Sequence, residues 1–251
     1  MEELGLHGLY DRCAELSPRT TEFLRSFDGV VSFLGGSGEI VSQRLAEASK
    51  CEVFAIDPRP SPQSDLHIVS QWVEQLHRYS LSAEAPSGNE LEIHDRRAFR
   101  EQLRSRLEAT KERTVLCHPG GGGLKKCCPH EVFERIVTEL QAKDYSVAWM
   151  IGPDEMERFG VEYRRRLERI APVLYEESVE VAADWVAGAD AFIGNDAGMT
   201  HVAALCGVET IALFGPTNPT IWRPLGRDCS VVSYSSDRSI AHLVRDIINH
   251  L

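Results

Sequence analysis

The segment at 194–207 reads GNDAGMTHVAALCG. An apolar run ends at Ile193 and helical spacing begins near Met199, so this is a strand-to-helix junction. The N–H groups of Gly198, Met199 and Thr200 are expected to be free at the helix start. Together with the positive end of the helix dipole they form an anion site. Gly198 lets an anion approach the backbone closely. Asp196 has two readings: it can accept hydrogen bonds from sugar hydroxyls or cap the helix, and spacing alone favours the cap. His201, one turn in, can donate to a phosphate oxygen or serve as a plain structural residue.

Three more segments carry similar chemistry. Residues 117–129, CHPGGGGLKKCCP, follow another short apolar run. Four glycines, Gly120 to Gly123, give an amide-rich loop able to wrap a diphosphate, and Lys125 and Lys126 add positive charge. The bland alternative is a surface loop with two solvated lysines. It is not a Walker A loop, since no Ser or Thr follows the lysine. In Gly152-Pro153-Asp154-Glu155, Glu155 can take the hydroxyls of a ribose, or act as a first-turn acid that complements the helix dipole, which is the simpler reading in isolation. In 214–226, FGPTNPTIWRPLG, Thr217 and Asn218 can reach a phosphate or sugar, and Trp222 is expected to pack. Cys117, His118, Cys127, Cys128 and His130 also crowd one stretch, but their spacing lacks the paired knuckles of a zinc site, so no metal is expected.

The elements that must position these residues follow from hydrophobic patterning. Short apolar runs alternate with helical stretches, which implies βα units and a mainly parallel sheet. Strands are expected at 30–34, 53–56, 114–117, 147–151, 172–175, 191–193, 210–214 and 230–232. Helices are expected at 39–48, 67–79, 98–111, 129–143, 154–170, 179–187, 199–205 and 237–251. The polar stretch 83–95 reads as a linker or crossing. All four segments then lie at the carboxyl ends of strands, where open α/β sheets bind ligands. A complete doubly wound, Rossmann-like domain is expected at 112–251. Residues 1–111 hold about two strands, too few for an independent domain.

Composition narrows the classes. The chain has 251 residues, 43% hydrophobic, with a net charge of −11. It can bury a core, and its acidic balance argues against nucleic acid as a partner. No apolar run approaches the ~18–20 residues of a membrane span, and no signal layout opens the chain, so a cytoplasmic location is expected. Seven scattered cysteines suit free thiols.

Taken together, the segments resemble glycosyltransferase family 9, the ADP-heptose:lipopolysaccharide heptosyltransferases. DAGMTHVAALCG followed by FGPTNPTIWRPLG matches that family's closing signature, and HPGGGGLKKCCP matches its nucleotide-phosphate loop. The likeness is good over about 112–240 and weak over 28–81. It implies an α/β, GT-B-like fold and an enzyme that moves a heptose-like sugar from a nucleotide donor, ADP-linked in the family's manner, to a lipopolysaccharide-type acceptor with inversion and without a cofactor. It further implies that Gly120 and Gly121 line the phosphates, that Lys126 takes the loop-lysine role, and that Glu155 holds the ribose. Asp196, Gly198, Met199 and His201 would contact diphosphate and donor sugar. Ala197 replaces a family threonine, keeping the amide and losing a hydroxyl, and Cys128 stands where tryptophan is frequent. The family's opening strand and Gly-Asp loop, which carries the acceptor-side base, have no counterpart here. Asp28 and Glu39 match no motif, so the base is unassigned. The alternative is a catalytically inactive nucleotide-sugar-binding module. Peripheral membrane contact and pairing of an open sheet edge with another chain stay open.

Overall fold

The computed structural model describes residues 5–36, 38–85, 96–235 and 237–251. The chain forms two compact units, Met1–Ala85 and Pro86–Leu251. Most of the expected 83–95 linker lies outside the described residues.

The first unit holds α1 (Pro18–Arg25), β1 (Gly29–Ser32), α2 (Ile40–Ser49), β2 (Glu52–Ala55) and α3 (Ile68–Arg78). β1 and β2 pair in parallel, with Val30 opposite Val53. The sequence reading passed over α1, although its start is marked: Pro18 opens the first turn, and the Ser17 hydroxyl accepts from the Thr20 N–H at 3.0 Å. β1 stops short of the expected residue 34, because the Leu34 N–H turns back to the Ser32 hydroxyl. The core of the unit is a small cluster of Leu9, Leu24, Val41 and Leu45.

The second unit begins with α4 (Arg96–Arg106) and then alternates β3 (Thr114–His118), α5 (His130–Ala142), β4 (Ser146–Ile151), α6 (Pro153–Glu168), β5 (Val173–Tyr175), α7 (Val179–Gly188), β6 (Ala191–Asn195), α8 (Gly198–Leu205), β7 (Glu209–Phe214), α9 (Pro219–Trp222), β8 (Cys229–Ser233) and α10 (Ile240–Ile248). All six strands are parallel, in the order β5-β4-β3-β6-β7-β8. Side chains alternate between the two faces. Val115, Cys117, Val147, Trp149, Ala191 and Ile193 join one core with α5, α6 and α10. Leu116, Ala148, Met150 and Phe192 join another with α4, α7 and α8. Both faces are covered, which explains strands that read as continuous apolar runs.

The unit boundary at 85/86 lies upstream of the expected 111/112. α4 belongs to the second unit because Leu103 is buried in its core and Arg96 donates to the carbonyls of Ala187, Ala189 and Gly207. The guanidinium thereby satisfies acceptors at the ends of α7 and α8. A charged helix with one buried leucine carries little sequence sign of where it docks.

Candidate functional site

Strand order reverses direction between β3 and β6, and a doubly wound sheet opens a crevice at the carboxyl ends of such a pair. The glycine loop leaves β3 there, and the 195–198 turn leaves β6. Asn195 joins the two. Its side chain is fully buried. Its Nδ2 donates to the carbonyls of Pro119 and Gly120, each at 2.9 Å, and its Oδ1 accepts from the Cys128 N–H at 2.9 Å. The sequence reading missed this residue. The available signal was a side-chain amide at the end of an otherwise apolar strand, which must find partners when buried.

Glu155, in the first turn of α6, is also buried. One carboxylate oxygen accepts from the Gly152 N–H at 2.8 Å, and the other from the Gly121 N–H at 3.2 Å. Burial works to raise its pKa. The neighbouring His118, 3.8 Å away, and the Gly152 N–H outweigh it and hold the carboxyl below its usual value. The expectation of a ribose ligand meets a carboxylate already fastened to two backbone amides. From the first turn of α6 it reaches both the Gly152 N–H and the glycine loop.

Gly120 packs behind that carboxylate: a Cβ there would lie 1.9 Å from Glu155 Oε1. Gly121, at φ 156°, lies where a Cβ would touch Ala197. Arg158, one turn further along α6, donates to the Gly121 carbonyl at 2.8 Å.

Asp196 does not cap α8. The N-cap is Ala197, which makes no side-chain cap bond. The Asp196 carboxylate, 7% exposed, instead faces Lys126 Nζ at 3.2 Å and His201 Nε2 at 3.9 Å. Burial alone would raise its pKa. Contacts with His201, Thr217 and Lys126 outweigh that and keep it below the usual aspartate value. β6 runs two residues beyond the expected 193, because Asn195 still pairs with Leu213, and this carries Asp196 to the carboxyl end of the sheet. Lys126 also lies over the Trp222 ring, 5.9 Å from its centroid, so that indole does more than pack. The Tyr234 hydroxyl donates to the Lys126 carbonyl at 2.9 Å. The ring fits because residue 215 is glycine; a Cβ there would come within 2.6 Å of it. Asn218 caps α9 through the Thr220 N–H.

At the start of α8 the Thr200 N–H is not free: it donates to the Ala197 carbonyl at 3.0 Å. Among the described residues, the N–H groups of Gly198 and Met199 find no acceptor. They border a cavity of about 490 Å³ whose lining includes Gly121, Gly122, Glu155, Ala197, Gly198 and Met199. Ile151, Ala182 and Val202 give it apolar walls. Lys126, Asp196 and His201 form a polar cluster next to Ala197, while Gly120 stays behind the loop. A cavity with apolar walls, two unpaired amides at a helix start and a lysine beside it can take a ligand with a flat organic half and an anionic half.

The cysteine-histidine stretch does not gather. Cys117 and Cys128 are buried in the core with α5, His118 stacks on Phe192 in the opposite layer, and His130 Nδ1 meets the Tyr163 hydroxyl at 2.9 Å. Strand alternation separates the neighbours. Among the described residues no group of three or more His, Cys, Asp or Glu is arranged to hold a metal. No described helix is long and apolar enough to cross a membrane.

Residues 31–246 match the family model for glycosyltransferase family 9 (heptosyltransferase). Lipooligosaccharide heptosyltransferase 2 of Haemophilus influenzae is 29% identical over 128 residues, which is 48% of this chain and 37% of that protein. The chain thus spans about a third of the length of the curated relatives it matches. Among solved structures, the ADP-heptose LPS heptosyltransferase II of E. coli superposes with a TM-score of 0.67 at 16% identity, covering 92% of this chain and 79% of that one. E. coli heptosyltransferase WaaC, solved with ADP, gives 0.61 at 18% identity, covering 94% and 79%. At these identities the likeness is one of fold.

Proposed function

The chain belongs to glycosyltransferase family 9, the heptosyltransferases, and from that premise we propose that its second unit binds the nucleotide diphosphate of an activated sugar, ADP-linked. The observation that carries the reading is the meeting, at the β3–β6 switch point, of unpaired amides at Gly198 and Met199, the Lys126–Asp196 pair and a nucleoside-sized cavity. Lys126 and the α8 start would meet the charge growing on the leaving diphosphate, where a preorganised cation and dipole act most strongly. The transfer follows as a displacement with inversion. The acceptor hydroxyl oxygen bonds to the anomeric carbon as that carbon's bond to the diphosphate oxygen breaks. The bonding pair leaves with the diphosphate, and the hydroxyl proton passes to a base. The acceptor is a lipopolysaccharide-type glycan, and the leaving-group charge is met by the chain's own cation and amides without a cofactor.

The support for an ADP donor is the solved relative with ADP together with the anion-binding features above. Calorimetric titration with ADP, with UDP and GDP as controls and a repeat in EDTA, tests it. We expect saturable ADP binding, unaffected by EDTA, that weakens about tenfold or more in Lys126→Ala, the scale of one lost charge-assisted contact. Unchanged affinity in that variant would sink the reading.

A second reading has its own observation. Glu39, one of the carboxylates near the first unit's glycine loop, is ion-paired with Arg59 at 2.6 Å, and Asp57 shares the same guanidinium at 2.9 Å. Both carboxylates share one cation, and the hydrogen bonds from Arg59 hold Asp57 below its usual value, which favours a nucleotide-sugar-binding module without transfer. ADP binding with no donor turnover on any offered acceptor would select it.

A further inference from the structure

Two successive peptide groups of the glycine loop are held by side chains of β6 and α6. The peptide between Gly120 and Gly121 is fixed at both poles: its carbonyl accepts from Asn195 Nδ2 at 2.9 Å, and its N–H donates to Glu155 Oε1 at 3.2 Å. The next peptide, between Gly121 and Gly122, is held at one pole only, by Arg158 Nη1 on the Gly121 carbonyl at 2.8 Å. No described peptide is cis. In a trans peptide the carbonyl and the N–H point in opposite directions. Arg158 therefore turns the Gly122 N–H away from its own guanidinium.

Three observations say what lies on that far side. Gly122 lines the cavity of about 490 Å³, and Arg158 is outside the lining. A Cβ added at Gly122 would meet nothing within 4 Å. Among the described residues the Gly122 N–H has no acceptor. A peptide between two glycines resists rotation weakly, so a single charge-assisted bond to its carbonyl decides its orientation.

We propose that Arg158 is a positioning residue for the diphosphate half of the ligand. By holding the Gly121–Gly122 peptide it aims the Gly122 N–H into the cavity as a third amide donor, beside those of Gly198 and Met199. The guanidinium acts through the backbone and does not touch the ligand. This rests on the donor-site reading above, and it assigns the loop's phosphate donor to Gly122, with Gly120 and the Gly121 N–H committed to the scaffold.

The test is titration of the full chain and its Arg158→Ala variant with ADP and with adenosine, alongside the Gly122 amide resonance followed by NMR. The expected result is a loss of about tenfold in ADP affinity, the scale of one lost charge-assisted contact, with adenosine affinity unchanged. ADP should shift the Gly122 amide resonance in the native chain and not in the variant, and Arg158→Lys, which keeps a donor of similar reach, should recover part of the loss. Equal loss of ADP and adenosine would mean general collapse of the site and overturn the proposal. So would unchanged ADP affinity, or a Gly122 resonance that still shifts in Arg158→Ala. A failed donor reading would look different: the native chain would bind neither ligand.

Discussion

Two glycines at the site serve opposite ends, and substitution separates them. Gly120 is a packing glycine, since a Cβ there falls 1.9 Å from the Glu155 carboxylate, which is itself tied to two amides. Gly120→Ala should destabilise the fold by roughly 1–3 kcal/mol, the range for a methyl forced into a filled site. Gly198 is a clearance glycine, since a Cβ there meets nothing within 4 Å. Gly198→Ala should leave stability within about 0.5 kcal/mol, as open positions do, yet weaken ADP binding because the methyl stands where an anion approaches the helix start. Urea unfolding and ADP titration of both variants check the pair. Full ADP affinity in Gly198→Ala would remove the close-approach argument.

At the scale of elements, α6 links the sheet to the glycine loop. Its first two turns carry Glu155 and Arg158, which grip the N–H and the carbonyl of the same residue, Gly121. The helix then breaks at Gly160, whose φ is 71°. Glu155 makes this joint pH-dependent. Its folded pKa lies below the ordinary 4.5, so folding favours the ionised form. The stability it contributes is complete above about that ordinary value and is lost as pH falls through the lower folded value. Glu155→Gln should therefore be less stable than the native chain near neutral pH, by roughly 1–3 kcal/mol for weakened bonds to a charged acceptor. The gap should narrow as pH falls below the ordinary 4.5 toward the lower folded value. Urea midpoints measured from pH 7 down to pH 3 test this. A gap constant with pH would show that the carboxylate charge is not what holds the joint.

At the scale of the whole molecule, every residue lining the cavity falls between His118 and Val202, inside the second unit. That unit has two core layers of its own, whereas the first unit's cluster has four buried residues. A fragment of residues 86–251 should then bind ADP within about twofold of the full chain, as independent parts do. The full chain should melt in two steps, the smaller core first. A fragment that folds and fails to bind would show that the first unit is needed for the donor site. The chain spans about a third of its curated relatives' length, so acceptor recognition is to be sought in assays of transfer and not inferred from the donor side.

The sequence by itself determined the second unit's βα alternation, because strands buried on both faces are written as apolar runs and amphipathic helices as a 3.6-residue stripe. It also determined that four polar segments fall at carboxyl ends of strands, since that follows from chain order alone. It did not determine what each polar residue touches. Asp196 reads locally as a cap, and it turns to Lys126 because β6 runs on to Asn195 before the helix begins. Glu155 reads as a dipole acid and becomes a latch on the glycine loop, Asn195 shows only as an amide ending an apolar strand, and Arg158 carries no local mark at all. α4 sits with the second unit through Arg96 and Leu103, a long-range docking that no window of sequence encodes. The reason is the same in each case: periodicity reports which face of an element is buried, while hydrogen-bond partners are chosen by groups brought together across 34 to 111 residues of chain.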